Sequence, residues 1–315
     1  MSVKKKSSVD SSFEANLFEI PMTPKPFIRW AGGKRKLVPL ILEFFPKTFS
    51  GSTNRFYEPF IGGGALSLHL GNTDLDYYVP GKNLVINDIN PDLVITYTMV
   101  RDNVDQLINS LLKISKDISK AQFERIKSWK PKTDLETAAR FIYLNKTCFN
   151  GLWRVNSKGE FNVPWGKLKN PTIFIERDLK SVSQRLSRST IRNSSFASSL
   201  EDARSGDLVY IDPPYIPLSS SSSFSKYAKD DFGIMEHFAL AGVIEGLTAR
   251  GVKVILSNSD TPLTREIYGN LLDLRQISVQ RNISAAANSR VSVKEIIGVN
   301  YSVSKSSQVS KLRVV

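Results

Sequence analysis

Two short apolar runs with abrupt ends most restrict what this chain can fold into. The run at 56–61 (FYEPFI) stops at Gly62-Gly63-Gly64, and ALSLHL follows at once. The run at 84–88 (LVIND) stops at Asn90-Pro91, and a longer apolar stretch follows. A run too short for a helix, closed by glycine or proline and followed by a helix-length segment, reads as a strand feeding a helix. The pattern recurs at 207–212 (DLVYID), which ends in two prolines, at 252–258 (VKVILSN), and more weakly at 191–196 (IRNSSF). Near the C-terminus LLDLRQISV and KEIIGVNY read as a closing pair of strands. Strands alternating with helices predict an α/β fold on a mostly parallel sheet.

The segment 106–189 breaks this rhythm. It opens with helical patterns (VDQLINSLLKI, AQFERIK, LETAARFIYL) and continues into NGLWRVNSKGEFNVPWG, where Ser157-Lys158-Gly159 is the expected hairpin turn. We read it as an insert in the α/β domain. Charge marks the same place. The chain carries 43 Lys+Arg against 30 Asp+Glu, for a net +13. Residues 121–205 hold 16 basic and 8 acidic side chains, whereas 51–120 hold 6 and 8. A localised basic excess points to a polyanion, most often nucleic acid. One cysteine, Cys148, excludes an internal disulfide framework and a multi-cysteine metal site, and two histidines, His69 and His237, argue against a zinc or His-based acid–base site. We expect no metal. No apolar run approaches the ~18–20 residues of a membrane span, and the basic start lacks an apolar core behind it. A cytoplasmic protein is the expectation.

Three motifs carry chemistry. The cluster Gly62-Gly63-Gly64, directly after Glu58-Pro59-Phe60-Ile61, lets a ligand approach the backbone closely; a plain tight turn competes with that reading. Asp88 ends the next strand, where a carboxylate can accept hydrogen bonds from ribose hydroxyls; the alternative for Asp88 or Asn90 is capping the helix at Pro91. Together they describe an adenosine-containing cofactor. The third motif is Asp212-Pro213-Pro214-Tyr215, expected by chance in roughly one such chain in a thousand. Asp212 and the Pro213 carbonyl can accept both hydrogens of an exocyclic amine, and the Tyr215 ring offers a face for a planar base. Drawing those hydrogens away frees the nitrogen lone pair to attack an electrophilic methyl.

With Trp30-Ala31-Gly32-Gly33-Lys34 ahead of them, these motifs resemble, in order, those of the Dam-type DNA adenine-N6 methyltransferases. The resemblance runs from about Pro26 to Tyr301 and is strongest to the GATC branch of Dam and DpnII-modification methylases. It implies a Rossmann-like sheet of seven strands, one of them antiparallel, with an inserted target-recognition domain. It implies S-adenosylmethionine as cofactor, held by Trp30, Lys34, Phe60, Gly62, Asp88 and Asp212. It implies Asp212, Pro213 and Tyr215 as the catalytic turn. It also implies double-stranded DNA as partner, read by Arg29, Phe149, Asn150, Leu152 and Arg154, with Arg154 on a guanine and the apolar residues filling the duplex around an expelled adenine. The expected layout is a flexible tail over 1–25, a discontinuous catalytic domain over 26–105 and 190–302, a DNA-recognition domain over 106–189 and a second tail over 303–315. No obligate protein partner is implied. The serine-rich loop 217–227 is expected to order over the expelled base, and Arg281, Ser284, Arg290 and Glu295 lie in a stretch like the family's last motif, without an assigned role. Two competing readings are methylation of RNA or a protein amide, and a DNA-binding protein that has lost catalysis.

Overall fold

The computed structural model describes residues 24–72, 77–216, 232–282 and 290–303, with the backbone alone over 279–282 and 290–293. The loop 217–227, Ser284 and nearly all of both expected tails lie outside the described residues, as do the side chains of Arg281 and Arg290.

Seven strands form one sheet: β1 (Phe56–Glu58), β2 (Leu84–Asn87), β3 (Thr190–Arg192), β4 (Leu208–Ile211), β5 (Lys253–Ser259), β6 (Asp273–Asn282) and β7 (Arg290–Val299). Their order is β3-β2-β1-β4-β5-β7-β6. The pairs β1–β2, β2–β3, β1–β4 and β4–β5 are parallel, and β7 runs antiparallel to both β5 and β6. The single antiparallel strand and the C-terminal pair follow the sequence expectation. Two strands are shorter than their apolar runs. β1 ends at Glu58 because Pro59 has no N–H to continue the ladder. The weak run at 191–196 keeps only Ile191 and Arg192 as strand, at the sheet edge.

Alternate residues of the sheet enter different cores, as expected for a parallel sheet covered on both faces. Phe56, Leu84, Ile86, Leu208, Tyr210 and Ile255 pack on one side. Tyr57, Val85, Val209, Ile211, Val254 and Leu256 pack on the other. The second face is closed by α8 (Ile234–Ala249) and α9 (Pro262–Tyr268), through Leu240, Ile244, Leu247 and Tyr268. The first face is closed by α1 (Val38–Leu42), α2 (Ala65–His69) and α3 (Pro91–Asp102).

The segment between α3 and β3 folds as its periodicity predicts. It contains α4 (Val104–Ile114), α5 (Lys120–Ser128), α6 (Asp134–Thr147) and α7 (Glu176–Leu186). Thr133 starts α6 by accepting the Glu136 N–H. The hairpin after α6 is held by the isolated bridges Cys148↔Trp165 and Val155↔Phe161, with Gly159 at φ 75° in its turn. Leu107, Phe123, Phe141 and Leu144 of this segment belong to the same continuous core as the first sheet face.

At the carboxyl ends of the parallel strands, β1 leads through α2 to β2 on one side, while β4 leads through α8 to β5 on the other. The chain therefore parts between β1 and β4, which leaves a crevice at the usual ligand position of such sheets. Asn87, 2% exposed, braces one wall of it. Its Nδ2 donates to the carbonyls of Pro59 (3.0 Å) and Ser194 (3.1 Å), and its Oδ1 accepts the Ser194 N–H at 3.0 Å. Asn87→Ala should lower the unfolding free energy by about 1–3 kcal/mol, because it orphans buried backbone groups; urea titration measures this.

Candidate active site

The loop after β1 forms the floor of the crevice. Gly62 (φ 44°) and Gly64 (φ 68°) both adopt the left-handed region that glycine tolerates. A side chain at Gly62 would also collide with the Trp30 indole, whose nearest atom would lie 2.5 Å from the new Cβ. The loop is pinned from two directions. Tyr97 donates its hydroxyl hydrogen to the Gly62 carbonyl at 2.9 Å, and the Gly62 N–H donates to Asp88 Oδ2 at 3.2 Å. The other oxygen of Asp88 accepts the Asn90 N–H at 3.0 Å. Burial raises the Asp88 carboxyl above its ordinary range. The capping alternative falls to Asn90, which accepts the Leu93 N–H at the start of α3. Asp88 instead ties its own strand end to the glycine loop.

Asp212 follows β4 directly across the crevice. Its Oδ1 accepts from Ser257 Oγ at 2.8 Å and lies 3.1 Å from Lys34 Nζ. Burial raises the Asp212 carboxyl, and the nearby Lys34 ammonium opposes that shift. Lys34 is itself buried. Its Nζ donates to the Gly32 carbonyl at 2.9 Å and sits 4.3 Å from the centre of the Tyr215 ring. The Tyr215 hydroxyl donates to Glu295 Oε2 at 2.9 Å. Glu295, on β7, is 1% exposed. Lys34, Asp212, Tyr215 and Glu295, drawn from three distant parts of the chain, thus form one cluster.

Glu58, the last residue of β1, is a further buried carboxyl nearby. It accepts the Ser67 N–H at 3.1 Å and the Ser67 hydroxyl. Burial pushes it up to about 8, with Asp212 adding to the rise. Glu58 therefore carries its proton at neutral pH. The cluster sets two further carboxyl groups beside the crevice, Asp212 paired with Lys34 and Glu295 bound to the Tyr215 hydroxyl.

The residues expected to bind cofactor meet here, with Trp30, Lys34, Gly62, Asp88 and Asp212 lining or flanking the crevice. Phe60 turns to the second sheet face, where its ring lies 5.7 Å from Phe196 and 5.4 Å from Phe232. The residues expected to read DNA form a neighbouring group. Phe149 and Leu152 are exposed at 49% and 40%, unusual for large apolar side chains three residues apart. Asn150 sits at φ 54° between them. Arg154 is exposed and donates from Nε to Asn162 Oδ1 at 2.8 Å.

Sequence reasoning missed the joint between the two groups. Asn145, fully buried in α6, accepts the Arg29 N–H at 2.8 Å. It donates to the carbonyls of Arg29 (2.8 Å) and Gly151 (3.1 Å). A row of rings runs beside it: Trp30 to Phe141 (6.3 Å), Phe141 to Trp153 (3.9 Å), and Trp153 to Phe161 (4.7 Å). Ser257 and Tyr210, whose hydroxyls lie 3.0 Å apart, were missed as well. The only signal for Ser257 is the polar ending SNS on an otherwise apolar strand.

Glu58 generates a pH prediction. Its carboxyl is raised in the folded chain, so its protonated form favours folding below the ordinary carboxylate range, and that contribution is lost as pH rises through about 8. Glu58→Gln should therefore remove part of the fall in stability between pH 5 and pH 9 seen in the unsubstituted protein. Denaturation curves at several pH values test this, and an unchanged pH dependence would contradict the buried, protonated state.

Comparison with known proteins agrees with this geometry. The family model for D12 class N6 adenine-specific DNA methyltransferase matches residues 30–283. The type II methyltransferase M1.LlaDCHI of Lactococcus lactis subsp. cremoris is 38% identical over 285 residues, covering 88% of this chain and 95% of that protein. The type II methyltransferase M.MjaIII of Methanocaldococcus jannaschii is 38% identical over 297 residues, covering 89% and 100%. The DNA adenine methylase of Escherichia coli (strain K12) is 33% identical over 279 residues, covering 87% and 95%.

Proposed function

The chain belongs to the D12 class of N6 adenine-specific DNA methyltransferases, and from that premise we propose that it methylates adenine N6 in double-stranded DNA at GATC, using S-adenosylmethionine and a flipped-out target base. Membership of this class favours DNA adenine over RNA or a protein amide. The observation that carries the reading is the Asp212 carboxylate, held by Ser257 and Lys34 beside the Tyr215 ring and across the crevice from the glycine loop.

The residues fit the cofactor. The Gly62 and Gly64 backbone leaves no room for side chains, so a ligand can lie close against the loop, and Asp88 closes the β2 end. Trp30, Lys34, Gly62, Asp88 and Asp212 would hold the cofactor, while the Phe60 ring lies on the second sheet face with Phe196 and Phe232. When bound, it supplies an electrophilic methyl group and leaves as a neutral thioether.

The chain's own groups do the rest. An adenine inside the helix cannot reach the crevice, so it must be extruded at a cost of a few kcal/mol. Tyr215 stacks on the extruded base, and the Glu295 contact anchors the hydroxyl end of its ring. Asp212 and the Pro213 carbonyl accept the two N6 hydrogens and aim the nitrogen lone pair. One of those protons departs to water after transfer. Alignment supplies most of the rate.

The segment 106–189 serves as the DNA-recognition unit, joined to a catalytic domain formed by 26–105 and 190–302. Residues 146–192 carry 10 basic and 3 acidic side chains, enough to clamp phosphates. Arg154 reads a guanine through its O6 and N7. Arg29 contacts the outer base pair, and Phe149, Asn150 and Leu152 occupy the gap left in the duplex. The exposure of Phe149 and Leu152 supports that role.

Asp212→Ala should abolish methylation of a GATC duplex while leaving duplex binding within a few-fold, and full activity in this variant would refute the mechanism. Arg154→Ala should reduce discrimination against a one-base variant site by about 1–3 kcal/mol. Rates measured on matched and mismatched duplexes give that figure.

A further inference from the structure

The polar end of β5 bears on how Asp212 is aimed. β4 and β5 run parallel, with Tyr210 opposite Ile255 and Ile211 opposite Leu256. One step further along, Ser257 comes level with Asp212. Side chains alternate across a sheet, so Tyr210 and Ser257 emerge on one face, the face whose core holds Tyr210 and Ile255. Both are 1% exposed. Buried hydroxyls need partners. The hydroxyls of Tyr210 and Ser257 lie 3.0 Å apart, and Ser257 Oγ donates to Asp212 Oδ1 at 2.8 Å. Ser257 has one hydrogen, and a carboxylate can only accept. Tyr210 is therefore the donor to Ser257. Burial holds the Tyr210 hydroxyl well above its ordinary value, so it keeps that hydrogen.

This arrangement makes the two oxygens of Asp212 unequal. Oδ1 takes the Ser257 hydrogen bond and also faces Lys34 Nζ at 3.1 Å. Among the described residues, no hydrogen bond reaches Oδ2. Each carboxylate oxygen offers about two lone pairs. The protein therefore fills Oδ1 and leaves Oδ2 open. The torsion that exchanges the two oxygens is soft, because χ2 of an aspartate has broad, roughly two-fold wells. Lys34 does not fix it, since an ammonium on a flexible four-carbon stem is a point charge that either oxygen can meet. Ser257 does fix it. Its side chain is short, its strand is paired on both sides, and its single hydrogen is steered to Oδ1 by the Tyr210 hydroxyl behind it.

We propose that Ser257, backed by Tyr210, is a positioning residue for methyl transfer: it commits Oδ1 of Asp212 to the protein and so makes Oδ2 the oxygen that accepts an N6 hydrogen of the target adenine. The proposal rests on the reading that Asp212, Pro213 and Tyr215 hold that adenine. Ser257→Ala should lower kcat at least about tenfold, the scale of a small misalignment, with KM for the GATC duplex and for S-adenosylmethionine within about threefold. Ser257→Cys fills the same space but donates weakly, so it should lose kcat in the same way. Full kcat in Ser257→Cys would mean that the site needs only the volume, and would overturn the proposal. Tyr210→Phe should lower kcat in the unsubstituted chain and cost nothing further in Ser257→Ala. Losses that multiply would mean that the two hydroxyls act independently, and would overturn the pairing. Should both Ser257 variants fail to fold, Tyr210→Phe alone decides: a kcat loss with unchanged KM and Tm supports the proposal, and an unchanged kcat counts against it.

A measurement on the free protein is independent of activity. The carboxyl carbon of Asp212 can be titrated by carbon-13 spectra of aspartate-labelled protein, with its signal assigned by comparison with Asp212→Asn. The charged and titratable groups around that carboxyl are Lys34 from the N-terminal strap, Glu58 from β1, Tyr210 and Tyr215 from its own segment and Glu295 from β7. Ser257→Ala leaves all of them in place and removes one donor to the charged form. The Asp212 titration should therefore move up by about one pH unit, the scale of one hydrogen bond to a charged group. An unmoved titration would overturn the proposal. Full activity in Asp212→Ala would remove the premise about adenine while leaving this shift intact, so the two failures are distinguishable.

Discussion

The contact between Lys34 and Asp212 is the constraint on which the rest of the site depends. A carboxylate at the end of a buried strand is costly unless it is paired and hydrogen-bonded. Asp212 is placed there by β4, and its compensation comes from elsewhere: an ammonium 3.1 Å away from the N-terminal strap and a hydroxyl from β5. The strap must therefore cross the sheet end to reach it. In crossing, it lays Trp30 over the glycine loop and brings Arg29 to α6.

That crossing gives the two halves of the protein a shared part. Residues 29–34 contribute Lys34 to the charged cluster, Trp30 to the packing over Gly62 and Arg29 to the joint with α6. Asn145 grips the Arg29 backbone on both its N–H and its C=O, and takes the Gly151 carbonyl with the same amide. Gly151 needs to be a glycine, since at φ 65° a Cβ would also lie 2.4 Å from the Arg29 Cβ. The hairpin is thus seated against the strap. The insert is also continuous with the core of one sheet face, so α4 to α7 present the hairpin from a packed base.

Much of this was legible in the chain itself. Pro59, Gly62, Pro91 and the Pro213-Pro214 pair end their runs for local reasons, because they remove donors or permit a left-handed turn, and the structure ends its elements at or near them. The first two helices of the insert follow from periodicity within a residue, and α6 runs three residues beyond its pattern. The joints were not legible. Asn145 lies in an ordinary helical stretch, and nothing adjacent marks it as a clamp. Glu58 looks like an acidic residue at a strand end until burial raises its carboxyl to about 8, against the opposing hydrogen bonds from Ser67. Phe60 sits inside the glycine motif, yet its ring belongs to the opposite face with Phe196 and Phe232.

By itself, the sequence determined where the chain must turn, which segments alternate as strand and helix, and that an acid, two prolines and a tyrosine follow one another at a strand end. These are local properties, set by torsional limits and side-chain periodicity over a few residues. Only the tertiary structure decided which distant groups compensate that acid, and that Glu295 on β7 accepts the Tyr215 hydroxyl. Those pairings span tens to hundreds of residues. They arise because buried polar atoms must find partners wherever packing brings them, and packing is a property of the whole fold.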